Sequence, residues 1–204
     1  MASPSLETMD LPAPIADWFA AKGWHPRRHQ LAMLDAARRG EDAMLVAATG
    51  AGKTLAGFLP VLADLIANPR DGLHSLYVSP LKALAVDVRR NLELPIAEMG
   101  LPIRVETRTG DTPSDRKARQ RAKPPHILLT TPESLSLLLS YPEAETLFAG
   151  LRTVIIDEVH AFAPTKRGDL LSLSLARLQR LSSAMRRVAL SATVADPDEY
   201  LGWL

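Results

Sequence analysis

Two short stretches of the sequence combine residue types that could bind phosphate groups and act on them. The first, AATGAGKT, spans residues 47–54 and lies between an apolar run and a helical pattern. Gly50 and Gly52 allow a tight turn whose backbone N–H groups face inward, at the positive end of a helix that begins near Lys53. At this spacing the Lys53 ammonium would reach the β- and γ-phosphates of a nucleotide, and the Thr54 hydroxyl would hold Mg²⁺. The alternative is an ordinary glycine-bearing turn without a ligand.

The second stretch, IIDEVH, places two adjacent carboxylates at the end of an apolar run. Such a pair would normally repel and stay exposed, but a nucleotide and a metal give each carboxylate a separate task. Asp157 would bind Mg²⁺ through its water shell, and Glu158 would orient and deprotonate an attacking water. His160 alone would more often be a packed or surface residue, and the motif is what favours a coupling role for it. The pair indicates little alone, but after a phosphate loop it predicts nucleotide hydrolysis.

The elements that must position these residues alternate along the chain. Short apolar runs at 43–47, 75–79, 103–107, 126–130, 153–158 and 187–192 predict strands, and patterns at 14–22, after Pro26, and at 54–67, 81–93, 132–139 and 169–185 predict helices. Strands that are apolar on both faces and alternate with helices indicate a mostly parallel sheet with helices on both faces. Ligands bind at the carboxyl ends of such strands, where the polar residues of this sequence fall.

Composition narrows the class of protein. A chain of 204 residues without cysteine fits one domain, excludes disulfides and thiolate zinc sites, and favours a cytoplasmic protein. No apolar run is long enough for a membrane span, and the start lacks the features of a signal peptide. The net charge of +1 is too balanced to attract nucleic acid by bulk field alone. The basic stretch 104–123 is equally consistent with nucleic-acid contact and with a solvated helix face.

With a third stretch, Ser191-Ala192-Thr193, the sequence resembles the first RecA-like domain of superfamily 2 helicases. The three stretches are similar to motif I, including Ala47 in place of the general glycine, to the DEVH form of motif II, and to motif III. The string 157–178 is most similar to the large helicase-related (Lhr-type) branch, including its ligase-associated members in DNA repair. The resemblance covers about residues 12–204 and implies a RecA-like P-loop NTPase fold of the α/β class.

Further segments agree with the resemblance. Gln30 looks like the residue that reads the adenine edge, and Trp18, Phe19 and Trp24 are candidates to stack on the adenine.

Three segments resemble nucleic-acid motifs of the family. They are 79–85, which resembles motif Ia, 107–111, which resembles a loop near the nucleic acid, and 130–135, which resembles motif Ib. Thr131 can cap a helix that begins at Pro132 and presents free N–H groups to a phosphate, and Lys82 suits a phosphate contact. Lys166 and Arg167 are interpreted as a solvated pair outside the site.

The resemblance implies a role for each residue of the site. The catalytic set is Glu158, Lys53 and Asp157, and the metal ligands are Thr54 and Asp157. Nucleotide-binding residues are Gln30, Thr49, Gly50, Ala51, Gly52, Lys53 and Thr54. Coupling residues are His160, Ser191 and Thr193. Nucleic-acid contacts are Lys82, Gly110, Thr131, Pro132 and Glu133.

The expected function is the ATP- and Mg²⁺-binding motor domain of an ATP-dependent DNA helicase, with single-stranded DNA and DNA-repair proteins as partners. We expect residues 1–11 to be flexible, 12–204 to form this domain, and a second RecA-like domain that carries a catalytic arginine to be absent. Slow or no hydrolysis and no unwinding would follow. The alternative is a nucleotide-dependent nucleic-acid binding module without catalysis. A P-loop kinase or transporter ATPase is disfavoured because neither explains DEVH followed by SAT.

Overall fold

The computed structural model describes residues 10–48, 50–162, 165–192 and 200. Three of the sequence predictions fall outside this part of the chain. They concern the flexible start (over residues 1–9), the nucleotide contact of Thr49, and the coupling role of Thr193.

A parallel sheet of six strands forms the centre of the described structure. The strands are β1 (Ala43–Val46), β2 (Ser75–Val78), β3 (Val105–Arg108), β4 (Ile127–Thr130), β5 (Thr153–Ile156) and β6 (Arg186–Ser191). Their order across the sheet is β1-β6-β5-β2-β4-β3. The prediction of a parallel α/β sheet is confirmed, and every described pairing is parallel. β1, β6 and β5 are adjacent, so the loop after β1 and the acidic end of β5 lie at the same edge of the sheet.

Helices cover both faces of this sheet. They are α1 (Ala13–Ala21), α2 (Arg28–Arg38), α3 (Lys53–Ala67), α4 (Lys82–Glu98), α5 (Ser114–Ala122), α6 (Pro132–Leu139), α7 (Ala144–Phe148) and α8 (Lys166–Leu181). Helices α1 to α4 pack on one face, where Phe58, Leu62 and Ile155 belong to one buried cluster. Helices α6 to α8 pack on the other, around Phe148, Leu175 and Ile156. The alternation of Ile155 and Ile156 between clusters follows from the two-residue period of a strand.

Several predicted boundaries differ from the structure. The third strand covers 105–108 rather than 103–107, and α4 continues to Glu98 although 81–93 was expected. Pro95 lies inside α4 and is buried, so packing on the sheet overrides the tendency of proline to end a helix. Similarly, α3 continues through the buried Pro60. The last helix covers 166–181 rather than 169–185, since Thr165 caps it by accepting a hydrogen bond from the N–H of Gly168.

Two helices were not predicted from the sequence. Helix α5 is strongly polar, and only Gln120 in it is buried, so it has no apolar stripe to reveal it. Helix α7 has five residues, which is too short to show a helical period. Helix α5 nevertheless reaches the predicted site residues, because its Lys117 ammonium donates a hydrogen bond to the Gly110 carbonyl oxygen.

Candidate functional site

The loop between β1 and α3 has the backbone of a phosphate-binding turn. Gly50 and Gly52 adopt left-handed conformations, with φ of 79° and 78°. A Cβ atom at Gly52 would also lie 3.1 Å from the Gln30 side-chain nitrogen. Glycine is therefore required at position 52 both for its conformation and for the close approach of Gln30. Helix α3 begins at the next residue, so its free N–H groups and positive dipole end face the loop.

Lys53 is the first residue of α3 and is 9% exposed. Among the described residues its buried ammonium has no hydrogen-bond partner. Burying an ammonium without a partner is costly, and buried polar groups in proteins are almost always paired. The Lys53 ammonium is therefore placed to receive an anionic ligand at the turn. The Thr54 hydroxyl follows it in the first turn of the same helix.

Asp157 follows β5 and is 7% exposed. One carboxylate oxygen accepts a hydrogen bond from the Tyr77 hydroxyl, and the other accepts one from the Glu158 N–H at 3.0 Å. Burial raises the pKa of the Asp157 carboxyl above its usual value, and the Glu158 charge adds to this, while the Tyr77 hydrogen bond and the Lys53 ammonium oppose it. The Lys53 ammonium thus favours the charged form of Asp157.

Glu158 is strained. Its φ of 50° makes it the one non-glycine residue with positive φ in the described part of the chain. Such a conformation costs of order 1–3 kcal/mol and tends to occur at functional sites. One Glu158 carboxylate oxygen is buried without a hydrogen bond from any described residue, 3.4 Å from His160 Nδ1.

His160 joins the acidic motif to the end of the last strand. Its Nδ1 lies 2.7 Å from the Ser191 hydroxyl, across 31 residues of sequence. Ser191 ends β6, and in the sheet it stands opposite Val46, the last residue of β1. The structure therefore brings together the two described members of the predicted coupling set.

A cavity of about 420 Å³ opens beside Gly52 and is lined by Gln30, Trp24 and His25. Gln30 is 3% exposed, and its side-chain oxygen accepts a hydrogen bond from the Arg27 N–H at 2.9 Å. This bond fixes the amide plane, so the Gln30 side-chain nitrogen faces the loop. The size and position of the cavity suit the base of a nucleotide bound at the turn.

The three aromatic candidates for the base are placed differently. Phe19 is packed in the core and also reaches the cavity wall. The Trp18 indole donates a hydrogen bond to Glu98 at 2.7 Å. Trp24 is 54% exposed, lines the cavity and meets Trp18 edge to face. Trp24 therefore has the most free ring surface beside Gln30.

The predicted nucleic-acid contacts lie at the carboxyl ends of β2, β3 and β4. Lys82 begins α4, and its ammonium lies 2.8 Å from both carboxylate oxygens of Asp111. The carbonyl oxygen of Gly110, next to Asp111, accepts a hydrogen bond from the Lys117 ammonium at 2.8 Å. The side chains of Lys82 and Asp111 are both exposed, so solvent and ligands can compete for this pair.

Thr131 occupies the N-cap position of α6, and Pro132 is its first residue, as predicted. The Thr131 side chain makes no capping hydrogen bond, however, and lies 3.3 Å from the Ser134 hydroxyl instead. The first N–H groups of α6 therefore lack this side-chain acceptor. Glu133 forms an ion pair with Arg167 at 2.5 Å.

Two residues of this region were missed or set aside by sequence reasoning. In the sequence, Tyr77 is one more member of the apolar run that forms β2. Its contact with Asp157 arises because β2 and β5 are neighbours in the sheet. Arg167, interpreted as part of a solvated pair, instead holds Glu133 and lies 5.8 Å from the centre of the Phe162 ring. No local signal identifies either contact, since both depend on strand and helix order.

The residues present fit a hydrated magnesium ion. The described residues contain no group of three or more His, Asp or Glu side chains arranged as a metal cluster. Mg²⁺ keeps several water ligands and is held by one or two protein oxygens together with substrate phosphates. The Thr54 hydroxyl and the buried Asp157 carboxylate, beside the phosphate turn, supply that kind of donor set.

Comparison with known proteins matches residues 27–200 to the family described as DEAD/DEAH box helicase. Among relatives, the chain is 46% identical to the "Lhr helicase/ probable uracil glycosylase" of Mycolicibacterium smegmatis, over 92% of this chain and 13% of that protein. It is 43% identical to "ATP-dependent helicase Lhr-Core protein 2" of Thermococcus barophilus, over 91% of this chain and 23% of that protein. The chain thus spans less than a quarter of these relatives.

Solved structures give the same result. The Mycobacterium smegmatis helicase Lhr bound to ssDNA and AMP-PNP superposes with a TM-score of 0.86 and 45% identity, over 93% of this chain and 26% of that one. The helicase MrfA bound to DNA and AMPPNP superposes with a TM-score of 0.85 and 27% identity, over all of this chain and 29% of that one. No helix among the described residues is long and apolar enough to cross a membrane.

Proposed function

The chain belongs to the DEAD/DEAH box helicase family, and on this premise we propose that it is the ATP-binding motor domain of an Lhr-type ATP-dependent DNA helicase. Residues 12–204 would form this domain. Its ligands would be ATP with Mg²⁺ and single-stranded DNA. The similarity to Lhr proteins over more than nine-tenths of the chain supports this branch of the family.

One observation carries the proposal. A buried ammonium without a partner among the described residues, on Lys53, stands at a left-handed glycine turn that opens a helix. The cost of burying that charge would be offset by the β- and γ-phosphates of ATP. Gln30 and the cavity beside Gly52 would receive the adenine.

The arrangement supports hydrolysis as well as binding. Glu158 would accept a proton from a water molecule whose oxygen attacks the γ-phosphorus, while the bond from that phosphorus to the bridging oxygen of ADP breaks. Lys53 would hold the β- and γ-phosphate oxygens, and Thr54 and Asp157 would hold Mg²⁺. The metal, when bound, would neutralise charge on the phosphates. Tyr77 would keep the Asp157 carboxylate in one orientation through its hydrogen bond.

The same edge of the sheet would bind a DNA backbone. The N–H groups at the start of α6, after Thr131 and with Pro132 first, would face a phosphate. Lys82 and the backbone at Gly110 would contact the strand beside it. The solved Lhr and MrfA structures, bound to DNA and a nucleotide analogue, support this choice of ligand. A link to DNA repair is part of the proposal, because one relative's name also includes uracil glycosylase.

His160 and Ser191 would couple the nucleotide to the grip on DNA. Their 2.7 Å contact joins the acidic motif to the end of β6. A shift in the position of Glu158 would therefore be transmitted to the last strand. A second RecA-like domain, with its arginine, would complete the ATP cleft. We therefore expect the chain by itself to bind ATP and to hydrolyse it slowly or not at all.

The competing proposal is a nucleotide-dependent nucleic-acid binding module without catalysis. The strained Glu158 favours the enzyme, because a binding module has no use for a carboxylate held in a costly conformation. The two proposals differ in what a second motor domain would add. Only the enzyme would gain turnover from it.

The deciding experiment measures ATP binding and ATP hydrolysis by this chain, with and without single-stranded DNA, with Glu158→Gln as the matched variant. Nucleotide binding that survives Glu158→Gln, with no turnover in either protein, would support the ATP site. Turnover gained on addition of a second RecA-like domain would then distinguish the motor domain from the binding module. DNA-stimulated turnover that falls by about 10²-fold or more in Glu158→Gln would show that Glu158 is catalytic and that a second copy of the chain, or another residue of the same copy, completes the site. Absence of nucleotide binding at millimolar ATP would contradict the proposal.

A further inference from the structure

A second cavity, of about 500 Å³, lies at the opposite end of the sheet from the phosphate turn. It is formed where β5 and β6 begin, between the carboxyl-terminal halves of α2 and α3. Strand β6 has six residues, which separates its two ends by about 16 Å. The volume lies within the range of small-molecule sites, about 300–1,000 Å³. A phosphate bound in this cavity therefore cannot also contact Lys53.

Arginine dominates its charged lining. Four arginines, Arg38, Arg70, Arg152 and Arg186, stand against one carboxylate, Asp64. Arg186 is 9% exposed, and burial lowers the pKa of its guanidinium, while the charges of Asp42 and Asp64 oppose this shift. The lining thus carries an excess of three positive charges.

The protein itself supplies few counterions for these arginines. Across 10–48, 50–162, 165–192 and 200, the sole carboxylate within ion-pair distance of any of the four is Asp64, 3.9 Å from Arg70. Asp64 already lies 2.6 Å from the His74 ring and accepts a hydrogen bond from Asn68 at 2.7 Å. Arg186 and Arg38 donate to backbone carbonyl oxygens, of Glu41 and Asp10. No side-chain partner is found for Arg152 among these residues.

Much of the remaining lining is apolar, and part of it comes from the two helices. Leu34 and Ala37 of α2 and Pro60, Ala63 and Ala67 of α3 form this side of the cavity. The cavity therefore offers guanidinium groups to a charged group and apolar side chains of α2 and α3 to an organic body. Guanidinium groups bind phosphate through paired hydrogen bonds, and a phosphate monoester offers about two negative charges and three terminal oxygens. A single carboxylate would match only part of the excess charge.

We propose that this cavity binds a small phosphorylated organic molecule, with its phosphate held by Arg70, Arg152 and Arg186 and its body against α2 and α3. The site is separate from the ATP site. The proposal holds whether or not the chain hydrolyses ATP.

Ribose 5-phosphate is the probe, with ribose as its uncharged counterpart, and binding is measured by titration calorimetry. The protein carries Lys53→Met, so that the phosphate turn does not contribute. We expect saturable binding of ribose 5-phosphate and none of ribose. The double variant Arg70→Gln, Arg152→Gln should weaken binding by about tenfold or more, because two charged donors are lost.

Arg90→Gln is the matched control, since Arg90 is exposed on α4, outside the cavity, and should leave binding unchanged. Arg152 is exposed and Arg70 half-buried, so both variants should fold, which a thermal unfolding curve checks. A single-stranded oligonucleotide that displaces the probe would identify a nucleic-acid phosphate as the source, and failure to displace it would identify a free small molecule. No saturable binding below about 10 mM, or equal binding by the double variant, would overturn the proposal.

Discussion

At the amino end of the sheet His74 is 1% exposed and both of its ring nitrogens meet partners, whereas at the carboxyl end the buried Lys53 ammonium meets none among the described residues. His74 lies 2.7 Å from the Ser75 hydroxyl and 2.6 Å from Asp64. Both groups are polar and buried in the same domain. His74 is therefore a buried polar group that stabilises the fold, whereas Lys53 is a buried polar group placed to bind a ligand.

Backbone strain also distinguishes the carboxyl end of the sheet from the amino end. The left-handed Glu158 is at the carboxyl end, beside Asp157, whose pKa burial raises. The amino end instead satisfies its buried histidines, since His126 Nδ1 accepts a hydrogen bond from the Arg104 N–H at 2.8 Å. Natural proteins accept local instability where function requires it. The cavity arginines extend this reasoning, because Arg70 alone among them has a carboxylate within ion-pair distance in the described part of the chain.

The largest effect should come from Lys53→Met, which removes the unpaired charge but keeps an apolar side chain of similar length. We expect ATP affinity to fall by about 10²-fold, because hydrogen bonds that involve a charged group contribute about 1.5–3 kcal/mol each. The free energy of unfolding without nucleotide should stay equal or rise by about 1 kcal/mol, because a buried ammonium without a hydrogen-bond partner is gone. Nucleotide titration and urea unfolding measure the two quantities.

Lys123→Met is the control for that variant, because Lys123 is an exposed lysine at the end of α5. It should change neither quantity. A clear loss of stability in Lys53→Met would mean that the ammonium is satisfied within the fold, and the contrast between the two ends would fail.

A smaller effect is expected from Tyr77→Phe. The fully buried Tyr77 hydroxyl donates to Asp157, and removing it leaves a buried carboxylate short of a partner. We expect the free energy of unfolding to fall by about 1–3 kcal/mol. Tyr141→Phe, at a partly exposed tyrosine that packs on Arg121, should cost less than about 0.5 kcal/mol. Equal losses in both variants would show that the Tyr77–Asp157 contact has no special weight.

Much of this arrangement follows from the sequence, and the parts that do not have a common reason. The strand-ending positions of Asp157 and Ser191 and the glycine turn at Gly50 and Gly52 are local properties of apolar runs and small residues, so the sequence alone predicts them. The Tyr77–Asp157 contact depends on strand order, which no local pattern encodes. Helix α5 lacks an apolar stripe, and α4 passes through Pro95 because its packing outweighs the local preference.

The amino end predicts a dependence of stability on pH. Burial lowers the pKa of His74 below its ordinary 6.5, although Asp64 opposes this. As the pH falls through about 6.5, His74 therefore binds a proton in the unfolded chain but stays neutral in the folded chain. The free energy of unfolding is thus highest above this pH and decreases as the pH is lowered. His126, whose pKa burial also lowers, acts in the same direction.

His74→Gln should lower the free energy of unfolding by about 1 kcal/mol at pH 7.5 and by less at pH 5.5, since the penalty for refusing a proton disappears. The dependence should shrink without vanishing, because His126 remains. Urea unfolding at both pH values measures this. His25→Gln, at an exposed histidine, serves as control, and an unchanged pH dependence in His74→Gln would place its origin elsewhere.

The smallest effect on stability should come from Glu133→Gln. The Glu133–Arg167 pair is exposed, with side chains 53% and 40% accessible, and such pairs contribute less than about 1 kcal/mol. The larger effect of Glu133→Gln should be on DNA binding. Glu133 places a negative charge in the first turn of α6, where a phosphate is proposed to bind. Removing that charge frees Arg167, so affinity for single-stranded DNA should rise about twofold to threefold at low salt and lose this gain at high salt. Arg167→Gln should change affinity in the opposite direction. If Glu133 instead contacts the strand directly, as the resemblance implies, Glu133→Gln will weaken binding, and the carboxylate then belongs among the groups that await a ligand.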